Sequence, residues 1–527
     1  MQRLGLSLLT GVLLTAAWPM APFTLLIYIA FVPLLMLADL ITKPRSFWGF
    51  AFIALLLWNA GTTWWMWNST GVGAVAAIIA NSLIMTLPWW GYFIFKKRYN
   101  SNFALLMLVL FWLVFEYVHL NWELSWPWLT LGNVFANYPS HVQWYEYTGV
   151  GGGSLLILLM NVLVYRLTKQ IIAKAPMNKI LIQGLLTVLL PISISFLNQY
   201  IYAKATAVKS ADNVVVVQPN IDPYQKFELS TAAQQIQQLI ALSEAAADSN
   251  TRLVIWPETA MSVAEWQHLI PQNQYYQPVF EFTRKHPQLT LVTGVETFKN
   301  YGTTKATQTA HQAENGTYYD AFNAAMAVQA DQPIQLYNKS KLVPGVESLP
   351  SFLRIMAPLF EQFGGSTGGY GRSDSAGVFA NPGNPYIAAP IICYESIYGE
   401  YVGSYVKRGA NILTVITNDG WWGNTPGHQQ HLAYARLRAI ETRRWVARSA
   451  NTGISAIINE YGEIVERREW DQPATIKFAV PVRTESSFYV QHGDYIFRYS
   501  LYLALLFTGF HVFITLQRRF NKKRINQ

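Results

Sequence analysis

Four side chains between residues 258 and 393 of this 527-residue chain are of the types that acyl-transfer chemistry needs. The stretch APIICYESIYG, residues 389–399, holds the single cysteine, Cys393, at the end of an apolar run. One thiol excludes an intramolecular disulfide, a CxxC redox pair and a multi-cysteine zinc site. Two readings remain, a small buried hydrophobe or a nucleophile. A free thiol is only a few per cent ionised at neutral pH, so a nucleophilic one needs a base and a cation beside it. VIWPETA presents Glu258, and QLYNKSKLVPGVE presents Lys339 followed by Glu347. Glu258 would take the thiol proton. Lys339 would stabilise the thiolate and then the oxyanion of a tetrahedral intermediate, helped by the backbone N–H after Cys393. One such donor is typically worth about 3 kcal/mol of barrier. Glu347 would hold Lys339 and shuttle a proton. Taken singly, an acid after Trp-Pro reads as a solvated turn and a lysine after a strand as surface. Only the set carries chemistry.

Each of these groups follows a short apolar run, where a sheet delivers side chains to a common rim. Between residues 212 and 485 such runs recur: NVVVVQPN, RLVIWPE, LTLVTGVE, AFNAAMAVQ, YIAAPIICYE, NILTVITND, GISAIINE and ATIKFAVPV. Helical spacing separates several of them, most clearly over 230–247 and 428–445. This alternation predicts an α/β domain whose sheets are covered on both faces. FGGSTGGYGRSDSAG, 363–377, reads as a mobile loop. It lacks the lysine and following helix of a P-loop.

The first 200 residues differ. Charged residues are 13% of the chain, against about 25% in a typical soluble protein, and the deficit lies mostly there. Runs of roughly 17–25 apolar residues are long enough to span a bilayer. They fall at about 4–20, 23–41, 47–67, 72–95, 103–120, 152–168 and 179–199, with an eighth at about 497–517. The first also fits a signal peptide, but another apolar run follows at once. Fifteen of the 39 lysines and arginines sit in alternate connections and at the two ends: Arg3, Lys43 and Arg45, Lys96 to Arg98, Arg166 to Lys179, and Arg518 to Arg524. The connections between them, including Asn121 to Gly151, hold none. Both termini are therefore expected in the cytoplasm, and residues 201–490 outside it. The net charge of +9 reflects this topology and not a nucleic-acid footprint.

The motifs WPE, YNKSKLVPGVESLP, ICYES, TNDGWWGN and RAIETRRWVARSANTGISA, with WPWLTLGN and GVGGGSLLILLMN in the apolar part, resemble in order and spacing those of the bacterial apolipoprotein N-acyltransferases, membrane-integrated members of the nitrilase superfamily. The resemblance covers nearly the whole chain. It implies a membrane bundle of about eight helices plus an α-β-β-α sandwich. The divisions would be 1–200 in the membrane, 201–490 as a periplasmic catalytic domain, and 491–527 as a last helix with a basic cytoplasmic tail. It also implies a Glu–Lys–Cys triad of Glu258 (base), Lys339 (oxyanion) and Cys393 (nucleophile), supported by Glu347 and flanked by Tyr394 and Glu395. Two departures stand out. PGVE replaces the family's Pro-Phe-Gly-Glu before Glu347, which alters the local turn, and Lys341 stands where the family commonly has histidine.

The implied reaction is ping-pong acyl transfer without a cofactor or metal. A phospholipid, usually phosphatidylethanolamine, acylates Cys393. The α-amine of a lipoprotein's diacylglyceryl-cysteine then takes the chain, in the bacterial inner membrane. A lipid substrate also suits the anchor, since drawing an acyl chain of roughly 16 carbons into water costs on the order of 12 kcal/mol. LPSFLRIMAPLFEQF, 349–363, reads either as an arm dipping into lipid or as a core helix. Two alternatives compete: a membrane-anchored nitrilase-type amidase or hydrolase, and a transporter or receptor. A hydrolase needs no eight-span anchor, and the spans lack the paired charges of a substrate path. Glu116 is the exception, an acid either inside a span or meeting the aromatic loop after it. His428 and His431 permit metal ligation by spacing, but no further ligand is near in sequence, so a packed pair is the simpler reading.

Overall fold

A computed structural model describes residues 1–205, 211–351 and 369–525. The 349–363 stretch lies outside the described residues from 352 onward, as do residues 363–368 of the glycine-rich segment. The apolar half is a helical bundle. Its helices are α1 (Gln2–Ala17), α2 (Val32–Leu40), α3 (Pro44–Thr63), the single turn α4 (Trp67–Thr70), α5 (Val72–Lys96), α6 (Ser101–Asn121), α7 (Tyr145–Ile172) and α8 (Asn178–Ala205). A last helix, Tyr495–Ile525, returns to pack along α6. Among the described residues five helices are long and apolar enough to cross a bilayer: α5, α6, α7, and residues 178–201 and 495–518 of the other two.

The expected span over 23–41 is not one helix. It is a 3₁₀ segment, Thr24–Tyr28, followed by the nine residues of α2, and α1 is also short. Pro33 marks the break, because with no N–H and a ring that clashes with the carbonyl four residues back it is tolerated only in a first turn, where α2 begins. A break inside hydrocarbon strands polar backbone groups unless the protein satisfies them. Asn161 of α7 does so: its Oδ1 accepts the Phe31 N–H at 2.7 Å, and its Nδ2 donates to Ile27 O at 2.8 Å.

Basic residues from separate connections gather at one end of the bundle. Lys96 Nζ and Lys169 Nζ lie 2.5 and 3.0 Å from the carboxylate of Asp39, which also accepts from Tyr165. Arg3 donates to Leu40 O close by. The opposite end carries the aromatic connection between α6 and α7. Glu116 is buried there, and its Oε1 accepts from Trp112 Nε1 (2.9 Å) and from Leu131 N (2.8 Å). It fastens the loop to the bundle, the second of its two expected placements.

Above that end stand two sheets. The first has eight strands: β1 (Asn213–Gln218), β2 (Thr251–Ile255), β3 (Met261–Trp266), β4 (Thr290–Asn300), β5 (His311–Gln312), β6 (Tyr318–Val328), β7 (Gln335–Asn338) and β13 (Ala474–Ala479), in the order β13-β1-β2-β4-β6-β5, with β3 on β4 and β7 on β6. The second holds β8 (Ala388–Ile392), β9 (Ile412–Thr417), β10 (Trp445–Ala450), β11 (Ala456–Ile458) and β12 (Ile464–Arg467), ordered β12-β11-β10-β9-β8. Strand alternation sorts the core. Val214 and Val216 face the second sheet, whereas Val215 and Val217 face α9 (Leu229–Ala246) and α10 (Gln277–Lys285). The far face of the second sheet is covered by α11 (Gly399–Lys407) and α12 (Pro426–Thr442). The layers are therefore α-β-β-α.

Helix α12 joins sandwich to bundle. Trp18 Nε1 donates to Tyr434 OH at 3.1 Å, Trp128 Nε1 to Gln430 at 2.7 Å, and Glu441 accepts the Val150 N–H at 3.0 Å. Just past its end, Arg443 pairs with Glu146 at 2.5 Å.

The Asn161 clamp is testable. Asn161→Leu keeps the branched heavy-atom shape but leaves the Phe31 and Ile27 groups unpaired, a loss of about 2–4 kcal/mol. The apparent midpoint of thermal unfolding in detergent micelles falls accordingly. Leu181→Ala, on the exposed face of α8, shifts stability by only about 0.5 kcal/mol.

Candidate active site

The strand ends of both sheets converge on one buried ammonium. Lys339 follows β7 directly and is 1% exposed. Its Nζ lies 3.2 Å from Glu258 Oε1 and 2.8 Å from Glu347 Oε1. Glu258 sits just past β2 on a turn pressed against β4. A Cβ at Gly294 would fall 2.3 Å from the Thr259 nitrogen, so only glycine admits that approach. Glu347 comes from the PGVE turn. Gly345 takes φ +81° there, and the turn is closed by Glu347 N–H to Val343 O (2.9 Å) and Gly345 N–H to Ser348 O (2.7 Å). The departure from Pro-Phe-Gly-Glu thus still delivers the carboxylate. Its second oxygen is fixed by the Val343 N–H at 2.8 Å.

Cys393 follows β8 directly with φ +48°, a left-handed backbone that costs an ordinary residue about 1–2 kcal/mol. The carbonyl of this strained residue is held by Ser396 Oγ at 2.8 Å, and His431 Nε2 lies 3.1 Å away. Burial pushes the Cys393 thiol well above its ordinary range, and the Glu258 carboxylate adds to that push. The Lys339 ammonium and a hydrogen bond with Thr417 act the other way. Burial also opposes ionisation of Glu258, but Lys339, the Asn323 amide and Lys226 outweigh it and hold its carboxyl below the usual range. Burial disfavours the charged Lys339, yet Glu258, Glu347 and Cys393 keep it firmly protonated. The resting arrangement is a neutral thiol, an ionised carboxylate and an ammonium.

All six residues singled out in the sequence lie in this region. Glu395 is fully buried, and its oxygens accept from Ile392 N (2.9 Å), Ser340 N (2.7 Å), Tyr337 OH (2.7 Å) and Tyr405 OH (3.1 Å). It ties the lysine loop to the cysteine turn. Tyr394 reaches the membrane half, donating to Ser125 O at 2.7 Å and stacking near Trp126.

Several contributors escaped the sequence reading. Asn323, mid-strand in β6, donates to Glu258 Oε1 at 2.8 Å and to Glu347 Oε1 at 2.9 Å, bridging the two acids. A polar residue inside the alanine-rich run AFNAAMA was its one available signal. Lys226 is buried and donates to Glu258 O at 2.7 Å, with burial lowering its pKa to about 7 against the pull of Glu258. His431 has Nδ1 3.0 Å from Asp419 Oδ1, and Asp419 also pairs with the fully buried Arg448. His428 instead meets Asn424 and Trp470. The two histidines therefore diverge.

A base, a cation and a thiol in this order suit attack on an acyl carbon. Residues 213–487 match the carbon–nitrogen hydrolase family, and residues 10–163 match the apolipoprotein N-acyltransferase N-terminal domain. An apolipoprotein N-acyltransferase of Chlorobaculum tepidum is 32% identical over 509 residues, 93% of this chain and 92% of that protein. One from Geobacter metallireducens is 26% identical over 503 residues, covering 93% and 91%. XC1258 from Xanthomonas campestris, a CN-hydrolase superfamily protein, is 17% identical, covers 55% of this chain and 96% of its own, and gives a TM-score of 0.34. Matched along both its membrane and its sandwich halves, the chain belongs to the apolipoprotein N-acyltransferase family and carries a nitrilase-superfamily carbon–nitrogen hydrolase domain.

Proposed function

We propose that this protein moves a fatty acyl chain from a phospholipid to the α-amine of a lipoprotein's N-terminal diacylglyceryl-cysteine, through a thioester on Cys393. The observation that carries the reading is the buried Lys339 ammonium, shared by Glu258 and Glu347 and acting on the thiol, in a chain similar end to end to apolipoprotein N-acyltransferases. Phosphatidylethanolamine is the expected donor. No cofactor is required.

In the first half-reaction Glu258 takes the thiol proton as sulfur attacks the ester carbonyl. The oxyanion is met by Lys339 and the Tyr394 N–H. Collapse expels the lyso-lipid alkoxide, which recovers the proton from Glu258. In the second half-reaction the lipoprotein amine attacks the thioester and loses a proton to Glu258; collapse expels the Cys393 thiolate, which recovers that proton from Glu258. An amide replaces a thioester, so the cycle runs forward. Glu347 keeps Lys339 aimed while the charge on Glu258 changes.

The architecture fits this use. Counting the broken 23–41 segment, α1 and α3 with the longer helices gives eight crossings, with residues 1–200 before the sandwich and 491–527 after it. The basic end around Asp39, Lys96 and Lys169 is then cytoplasmic. Residues 201–490 stand on the periplasmic side, in the inner membrane.

Incubating the purified protein with phosphatidylethanolamine should yield a hydroxylamine-sensitive acyl mass on Cys393, absent in Cys393→Ala. A diacylated lipopeptide should discharge it into a triacylated product. Release of free fatty acid alone would replace this reading with the amidase. Lys339→Met, which removes the oxyanion partner, should slow acylation by about 10²–10³-fold.

The electrostatics give a pH test. The thiol is raised and Glu258 is depressed, so at neutral pH the sulfur is protonated. Thiolate appears only as pH climbs above the ordinary thiol range. Carboxamidomethylation of Cys393 should therefore keep accelerating through about pH 9. A plateau near pH 7 would mean a preformed thiolate and contradict the concerted proton transfer. Turnover should fall at the acid end, where Glu258 gains a proton.

A further inference from the structure

A cavity of about 190 Å³ with a lining of mixed polarity lies beside the acyl-transfer site, where the outer end of α6 meets the start of the helix Tyr495–Ile525. Leu120 and Asn121 form its membrane-side floor. Lys341, Tyr398, Tyr401, Glu400 and Asp494 surround the rest. At about 30 Å³ per water molecule in liquid, its volume holds roughly six waters, the size of a small polar group and far short of an acyl chain.

The two walls carry opposite charge. On one, the Lys341 ammonium stands 5.1 Å from the Tyr398 ring centre and 5.4 Å from that of Tyr401. Among the described residues it has no carboxylate within 4 Å. Burial depresses its pKa, Glu395 and Glu400 are near enough to oppose that, and Arg372 adds a like charge. This wall is short of an anion. On the other, Glu400 meets Arg498 at 2.8 Å and the Asp494 N–H at 3.4 Å, while Asp494 accepts from Tyr489 OH at 2.7 Å. Glu400 holds the Arg498 guanidinium, and among the described residues Asp494 has no cation within 4 Å, so this wall is short of a cation.

The cavity is wired to the reaction centre. Lys341 lies two residues beyond Lys339, and its N–H lies 3.3 Å from the Glu395 oxygen that also takes the Ser340 N–H. Tyr398 closes the 3₁₀ turn that begins at Cys393, and its OH bonds Ser125 Oγ at 2.7 Å, next to the Tyr394 anchor.

We infer that this cavity is the headgroup subsite for a zwitterionic phospholipid donor, with the phosphate on Lys341 and the ammonium against Glu400 and Asp494. The inference rests on the acyl-transfer reading of Cys393. A phosphate beside an uncompensated lysine and a primary ammonium beside two acids satisfy both walls at once. An anionic headgroup without an ammonium satisfies only one. The placement at the bilayer surface lets the headgroup stay in the polar layer while an ester carbonyl reaches the thiol.

The test uses the full-length protein in mixed micelles, with acylation of Cys393 read by intact mass. The donors are phosphatidylethanolamine, phosphatidylglycerol and p-nitrophenyl palmitate, which has no headgroup. In Lys341→Gln, the ratio of phospholipid to p-nitrophenyl ester acylation should fall about tenfold for both phospholipids, through KM. Lys341→Arg should restore most of it. In Glu400→Gln, the preference for phosphatidylethanolamine over phosphatidylglycerol should shrink about fivefold. Equal losses on all three donors would assign Lys341 a purely structural role and overturn the subsite, as would unchanged ratios. If the unmodified protein forms no acyl adduct from any donor, the acyl-transfer reading fails and the subsite falls with it. An adduct whose donor ratios ignore Lys341 removes the subsite alone.

Discussion

An ammonium stripped of water is the constraint around which this molecule is arranged. Lys339 is almost completely enclosed, and an enclosed charge costs several kcal/mol unless partners replace its hydration. Here two carboxylates do so, and those in turn are crowded enough to repel one another. Asn323 resolves the crowding by donating to both, and single backbone N–H groups from Val343 and Asn418 fix their outer oxygens. None of these groups is a sequence neighbour of all the others. They come from β6, from the ends of β2, β7 and β9, and from the PGVE turn. The sandwich must therefore be nearly complete before the charge can be buried at all. Removing one acid would leave the ammonium half-compensated, a larger penalty than loss of a surface pair.

The same logic extends downward into the bundle. Arg438 and Arg443, at the foot of the sandwich, are buried against Glu441 and Glu146, and Glu441 also holds the Val150 N–H. Tyr394, next to the cysteine, and Tyr398, at the end of the same turn, bond Ser125 in the loop that Glu116 fastens to α6. The strained turn at Cys393 is thus gripped from both halves. A thiol positioned by bonds to a loop of the helical bundle keeps a fixed height relative to that bundle, which a domain on a flexible linker would not give. For the lipid donor proposed here, that height is part of the chemistry.

Much of this was legible in the chain. Strand-end placement brought Glu258, Lys339 and Cys393 to one rim because apolar runs of strand length announce where a sheet stops. Charge bias in short connections grouped Asp39's partners at one end because lysines avoid hydrocarbon. What stayed hidden depended on three-dimensional closure. Asn323 looks like a break in an apolar strand until the two acids stand beside it. Asn161 reads as a stray polar residue in a span until the break at Pro33 exposes the backbone groups it serves. Apolar composition alone cannot distinguish a continuous helix from one interrupted and repaired by a neighbour, so the 23–41 segment was expected as a single span. His431 was weighed by its spacing to His428, whereas its actual partner, Asp419, lies across a helix start in the TNDGWWGN turn.

A thiol kept neutral at rest also has a consequence for selectivity between water and amine. A preformed thiolate beside Lys339 would already have the lysine's charge committed to sulfur. With the proton still on sulfur, Lys339 is engaged by two carboxylates, and its charge becomes available to an oxyanion only as Glu258 is protonated. Proton transfer and oxyanion stabilisation are therefore coupled through one shared ammonium. In the proposed second half-reaction the attacking group must give up a proton to Glu258 for that coupling to operate. An amine is far the better nucleophile once it is neutral, and Glu258, an acid held below its usual range, is a weak base. A weak base activates water poorly, because water must lose its proton early to attack. A neutral amine attacks first and becomes acidic afterwards, when even a weak base suffices. In the proposed cycle the depressed carboxyl, which takes the thiol proton only in concert with attack on the ester, thereby favours transfer to an amine over hydrolysis.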